Sequence, residues 1–358
     1  MKIYLEILPE TIQCIKMTDE EYFSEKYRGY ISNSRLALIN PEQGGSPEKY
    51  ANGFEGGFNA SYQLGSAVHG IILQPDEFVI PDIHKPTAKL GMFAEEVYKF
   101  RQEGNSIHDS IELARVSADY YQKGFTENRR RTAIKKSLDF YLKRIKYVED
   151  PVKVPLFLSE KDAETTKQCI NSVEKSQPML NYLRPKGIAS DPEVFNEYAI
   201  LCEAKVRREG EEDQIIKIKA KLDSFSIDHE NEEIILNDLK TTGRPVAWFM
   251  GQYITNDLGE QVWAEGSFEK YRYYRQAAFY IWLLQAANRV KYPKYTYKTN
   301  FLVVETIPDY KCRVFRVQNE WIQLGLKETK NLIILAANEQ KSKLTSTGDS
   351  GTNSGREE

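Results

Sequence analysis

The segment Ile215-Ile-Lys-Ile-Lys-Ala-Lys-Leu-Asp223 alternates apolar residues with Lys217, Lys219, Lys221 and then Asp223. A period of two over this length is the pattern expected of a half-buried β-strand. A polar turn follows, and then the short apolar run Ile234-Ile-Leu-Asn-Asp238-Leu-Lys240, bounded by Thr241, Thr242 and Gly243. Alternation puts Asp238 and Lys240 on one face of this second strand. If the turn is centred between Glu230 and Asn231, the two strands form one hairpin in which Asp223 stands directly opposite Asp238. Directly opposed side chains have Cβ atoms roughly 5 Å apart and like charges there repel, so the pair calls for a cation between them. A divalent metal meets that need, and Lys240 beside it would stabilise negative charge on a phosphate or orient an attacking water. The plainer alternative is three solvated charges on a hairpin surface.

Two other segments bear on that choice. In Tyr62-Gln-Leu-Gly65-Ser-Ala-Val-His69-Gly-Ile-Ile-Leu73, the residues Leu64, Val68, Ile71 and Ile72 recur at helical spacing, with Gly65 one turn before His69. A neutral imidazole there is a metal ligand or a satisfied core histidine. In Tyr273-Tyr-Arg-Gln276-Ala-Ala-Phe-Tyr280, helical spacing places Tyr273, Gln276 and Tyr280 on one face. That polar stripe lines a phosphate-binding cleft, or it is a row of packed tyrosines with wet hydroxyls.

In this order, Gly65-Ser-Ala-Val-His69, Asp223, Asp238-Leu-Lys240-Thr-Thr and Gln276-Ala-Ala-Phe-Tyr280 resemble the PD-(D/E)xK nuclease superfamily, and more closely its RecE-type (exodeoxyribonuclease VIII-like) and RecB-like exonuclease branch. Ile31-Ser-Asn-Ser-Arg-Leu resembles the opening segment of the RecE nuclease domain, and Gln74-Pro-Asp-Glu-Phe78 the exit turn of its His helix. The resemblance covers about residues 28 to 340. It implies an α/β restriction-endonuclease-like core, a central mixed β-sheet flanked by helices, with a helical insertion at about 88–183. It also implies that His69, Asp223 and Asp238 are metal ligands, Lys240 the catalytic lysine, Gln276 and Tyr280 contacts to the DNA strand, and Glu197 an acidic helper before the hairpin. A surface glutamate is the alternative for Glu197. The implied activity is Mg²⁺-dependent hydrolysis of linear double-stranded DNA from its ends, 5′-to-3′, with Mn²⁺ as a substitute. The implied assembly is a ring-shaped homo-oligomer, and the implied partner a RecT-type single-strand annealing protein. Rival readings are another nuclease of the superfamily, such as an endonuclease or a CRISPR-type processing enzyme, and a non-catalytic DNA-binding protein on the same fold. The segment from 241 to 268, carrying Trp248, Phe249, Tyr253 and Trp263, is longer than in the RecE branch and reads as a loop.

The net charge of −3 means that any DNA-binding surface is segregated. Candidate basic stretches are Asn128-Arg-Arg-Arg131 with Lys135 and Lys136, Lys143-Arg-Ile-Lys146, and the Lys217 to Lys221 strand face. The first two fall in a helical region whose apolar side carries Ile134, Leu138 and Leu142, so a solvated helix face is the alternative. Cys14, Cys169, Cys202 and Cys312 form no Cys-x-x-Cys pair, which points to reduced thiols, and the late cysteine group of iron–sulfur relatives is absent, so no such cluster is expected. With no apolar run of about 18 residues and no signal-peptide pattern, the expectation is a soluble cytoplasmic protein. Helices are expected at 88–148, at 159–183 and from 319 to 338. Strands are expected around 194–206, 214–228, 233–240, 297–305 and 311–317, and a disordered tail over 341–358.

Overall fold

The computed structural model describes residues 3–53, 60–117, 127–149 and 152–348, and it divides into two compact units, residues 1–58 with 173–358, and residues 59–172. The first unit opens with β1 (Ile3–Ile7), β2 (Gln13–Lys16), α1 (Asp19–Tyr22), α2 (Asn33–Ile39) and α3 (Pro47–Asn52). The helical unit contains α4 (Ala60–Leu73), β3 (Phe78–Val79), α5 (Ala88–Gln102), α6 (Ile107–Ser117), α7 (Glu127–Glu149), β4 (Val154–Pro155) and most of α8 (Glu160–Glu174). The chain then re-enters the first unit with α9 (Gln177–Leu183), β5 (Glu193–Arg208), β6 (Gln214–Asp228) and β7 (Glu233–Thr242). It ends with β8 (Gln252–Thr255), β9 (Gln261–Ala264), α10 (Ser267–Lys270), α11 (Tyr273–Asn288), β10 (Thr296–Glu305), β11 (Cys312–Arg316) and α12 (Asn319–Gly348).

The first unit is an α/β structure around a mixed sheet in the order β1-β5-β6-β7-β10-β11, with β2 pairing beside β1 on β5. Every pairing is antiparallel except β7 with β10, which the α11 crossover joins in parallel. This is the fold class expected from the sequence. The alternation of β6 buries Ile216, Ile218, Ala220 and Leu222 in the main core, together with Ile234 and Leu236 of β7, Phe279 and Leu283 of α11 and Ile333 of α12. Thr18 caps α1, its hydroxyl accepting the Glu21 N–H at 3.2 Å. Among the described residues, no helix is long and apolar enough to cross a membrane.

Several expectations need correction. The compact helical unit covers 59–172, so it begins with the His69 helix and not at 88. The helix expected over 159–183 is two, α8 and α9, with Ser176 between them in extended backbone and Pro178 in the first turn of the second. Helix α12 runs on to Gly348 through part of the expected tail, and residues 349–358 lie outside those described. The 241–268 segment carries the β8–β9 hairpin and α10. Of its aromatics Phe249 is buried, packed against Phe268, Phe301 and Phe315, whereas Tyr253 and Trp263 are exposed and stack edge to face on each other. On α7 the buried side is Ser137, Phe140 and Tyr141 while Leu142 is exposed, so the apolar stripe read through Leu142 was misplaced. Arg144 is committed to Glu95 at 2.7 Å and to the Tyr98 ring. Lys135 and Lys136 are exposed, and the side chains of 128–131 lie outside those described. The lysine face of β6 is not uniformly solvated: Lys217 is exposed, but Lys219 is buried under α1 and donates to the Tyr22 carbonyl at 2.6 Å.

Candidate active site

The β6–β7 turn is fixed by Asp228, whose Oδ1 accepts the N–H groups of Glu230 and Asn231, both at 3.0 Å. The register that follows runs from Asp228 opposite Glu233 to Ser224 opposite Asn237. One further step sets Asp223 opposite Asp238, the register read from the sequence. The ladder stops short of that step. In its place the Asp223 Oδ2 accepts the Leu239 N–H at 2.8 Å, so a side chain satisfies the backbone donor where the strands part. The other edge of β7 pairs with β10, setting Asp238 beside Phe301 and Lys240 beside Val303.

The β5–β6 ladder is interrupted at the same level. Asn196 pairs with Ser224 and Tyr198 with Leu222, but Glu197 and Asp223 between them do not. Glu197 has φ 57°, a left-handed conformation that costs a non-glycine residue about 1–3 kcal/mol and concentrates at functional sites. Its carboxylate lies 2.5 Å from the Lys221 ammonium. Burial, and then the charge of Asp223, push the Glu197 pKa up.

Asp238 is only 2% exposed, and its Oδ2 accepts the Gln276 Nε2 at 2.8 Å. Its Oδ1 pairs with the Lys240 ammonium, which also lies over the rings of Tyr273 and Phe301. Burial opposes the charge on Lys240, but the carboxylates of Asp238 and Asp223 outweigh it and raise its pKa. Lys240 is therefore an ammonium at neutral pH, suited to stabilise negative charge and not to act as a base. Asp223 is raised by burial, against the opposing pull of Lys240, the Leu239 N–H and Lys221. Gln276 also donates to the Tyr280 hydroxyl at 3.3 Å, and burial keeps that phenol protonated.

Asp223, Asp238, Lys240, Gln276 and Tyr280 thus come together, with Glu197 adjoining through Lys221. His69 lies half-buried on α4 of the helical unit, where Val68 is fully buried. On that helix a Cβ at Gly70 would meet the Phe78 ring at 3.2 Å. The sequence places Lys221 in a candidate basic strand face and on the alternating face of Asp223, but gives no sign of Asp19, which pairs with it at 2.5 Å. Among the described residues, no group of three or more His, Cys, Asp or Glu side chains is gathered as a metal-binding cluster. The Asp223 and Asp238 pair nevertheless suits Mg²⁺, which is commonly held by one or two carboxylates with waters and substrate phosphate completing its shell. The Lys240 ammonium neutralises the Asp238 carboxylate.

No family model and no curated protein matches the chain. The chain is similar in overall structure to a crystal structure of a protein from Eubacterium rectale that carries the provisional name exonuclease, at 13% identity and a TM-score of 0.44, over 90% of this chain and 87% of the other.

Proposed function

We propose that the chain is a Mg²⁺-dependent nuclease that hydrolyses linear double-stranded DNA from its ends. The observation that carries this reading is the set of two carboxylates on adjoining strands, Asp223 and the buried Asp238, with a half-buried ammonium, Lys240, paired to the second. A solvated hairpin surface would leave those side chains exposed and unconstrained. Asp223 and Asp238 would hold the ion, with His69 as the further ligand that the family resemblance implies. When bound, such an ion polarises a phosphate and acidifies a water.

The chain's own residues do the rest. Lys240, held charged by the two carboxylates, offers N–H donors to a phosphate oxygen as negative charge builds during attack by water. The rings of Tyr273 and Phe301 beside it keep bulk water from screening that charge. Gln276 fixes the Asp238 carboxylate through Oδ2, and Tyr280 receives the second N–H of the same amide. In the hydrolysis the water oxygen bonds to phosphorus, the bond to the leaving oxygen breaks, and that oxygen takes up a proton.

The 5′-to-3′ polarity, the ring assembly and a RecT-type partner follow from the same resemblance. The test is digestion of linear duplex labelled at either end, with Mg²⁺ or EDTA, beside a closed circular duplex and an Asp238→Ala variant. Shortening of the linear duplex alone, dependent on Mg²⁺ and on Asp238, is the expected result. Cutting of the closed circle would replace the exonuclease with an endonuclease, and no Mg²⁺-dependent cutting of either would remove the nuclease reading.

A further inference from the structure

The proposed chemistry leaves Lys221, with its partners Glu197 and Asp19, without a role. Lys221 sits two residues before Asp223 on the same face of β6, roughly 6.8 Å along the strand. That is close to the separation of neighbouring phosphates in one nucleic-acid strand. Its side chain is 13% exposed, and its ammonium meets two carboxylates, Glu197 at 2.5 Å and Asp19 at 2.5 Å.

The two partners differ in kind. Glu197 is 12% exposed and belongs to the central sheet, where its left-handed backbone sets it toward Lys221, so it is a fixed counter-charge. Asp19 is 72% exposed at the start of α1. Helix α1 has other anchors: the Thr18 cap, and the Tyr22 carbonyl that accepts from buried Lys219. A rotation of the Asp19 side chain therefore frees one side of Lys221 without unseating the helix. A phosphodiester taking that place carries the same single negative charge, so the exchange leaves the local charge unaltered.

We propose that Lys221 seats the phosphate next to the scissile one on the substrate strand, and that Asp19 occupies this seat as an internal anion until nucleic acid displaces it. The inference rests on the nuclease reading and adds to it a second phosphate contact and a built-in competitor.

The test is fluorescence anisotropy of a labelled short blunt-ended duplex, in EDTA and low salt, with the full chain. Gel analysis of the same samples confirms that the duplex stays intact. Asp19→Asn binds about twofold to fivefold tighter than the unaltered chain, the range that displacing a partly exposed ion pair allows. Asp19→Ser gives the same gain, which guards against a peculiarity of one replacement. Lys221→Met binds more weakly and lowers the slope of log affinity against log salt by about one contact. In the double variant, Asp19→Asn adds nothing to Lys221→Met. Equal or weaker binding by both Asp19 variants overturns the inference, and so does a gain that persists without Lys221. Either result leaves duplex binding itself, and with it the nuclease reading, in place. Duplex binding by none of the proteins removes both.

Discussion

Asp223 has two separable duties, and a pair of substitutions divides them. As a charge it would help to hold a cation. As an acceptor its Oδ2 takes the Leu239 N–H at 2.8 Å where the β6–β7 ladder stops. Asp223→Asn removes the charge and keeps a carbonyl oxygen for Leu239, whereas Asp223→Ala removes both. A partly buried N–H left without an acceptor costs roughly 1–3 kcal/mol. Both variants equally lose a carboxylate that burial disfavours in its charged form, so that contribution cancels in the comparison. The expected result is an Ala variant less stable than the Asn variant by about 1–3 kcal/mol, read from urea midpoints in EDTA at neutral pH. The Asn variant melts at or above the unaltered chain, and neither cleaves DNA with Mg²⁺. Equal stability of Asn and Ala would refute the ladder-substitute argument. Undiminished Mg²⁺-dependent cleavage by either would refute the site.

Lys240→Met abolishes cleavage and, unlike a surface charge change, destabilises the apo fold by about 3 kcal/mol, because it leaves the buried Asp238 carboxylate without its counter-ion; urea unfolding in EDTA checks the magnitude. His69→Ala shifts the Mn²⁺ midpoint of activity to higher concentration if the imidazole is a ligand, whereas a lowered melting temperature with an unshifted midpoint identifies a core histidine. Lys219, which burial and then Arg35 push down from 10.5 to about 8, binds its proton less tightly folded than unfolded, so it makes stability rise with pH between those two values. Lys219→Met removes that rise, which urea midpoints at a series of pH values in this window measure.

The register that brings Asp223 and Asp238 together was legible because two signals agree. The period-two pattern of Ile215 to Asp223 fixes which side chains share a face, and the Asp228 to Asn231 turn chemistry fixes where the chain reverses. What was illegible depends on segments far apart in sequence or on backbone that no propensity encodes. Lys219 reads as an outward lysine until α1, from the start of the chain, covers it. The contact of Asp19 with Lys221 spans 202 positions and has no local signature. The positive φ of Glu197 falls on an ordinary glutamate within an otherwise regular strand. The hairpin hidden in the 241–268 segment has strands of only four residues, Gln252–Thr255 and Gln261–Ala264. Its turn was marked, since Asn256 accepts the N–H groups of Leu258 and Glu260 through its side chain.

The charge balance of the site bears on why its carboxylates stand where like charges repel. Asp19, Glu197, Asp223 and Asp238 set four carboxylates against the two ammoniums of Lys221 and Lys240. Fully ionised, the group carries two negative charges in excess, the amount that one divalent cation neutralises. The pKa values of Asp223 and Glu197 are raised first by burial, with the Asp223 charge adding to the effect at Glu197, so each holds its proton more readily than a free carboxyl does. A proton on such a group favours the folded state below the raised pKa, and that contribution is lost as the pH climbs through it. A cation would replace the lost protons at neutral pH, so its binding should stabilise the fold most where the carboxyls are ionised and least in acid. Hydrogen bonds from Leu239 and Gln276 hold Asp223 and Asp238 in place meanwhile, which leaves only charge for a cation to supply.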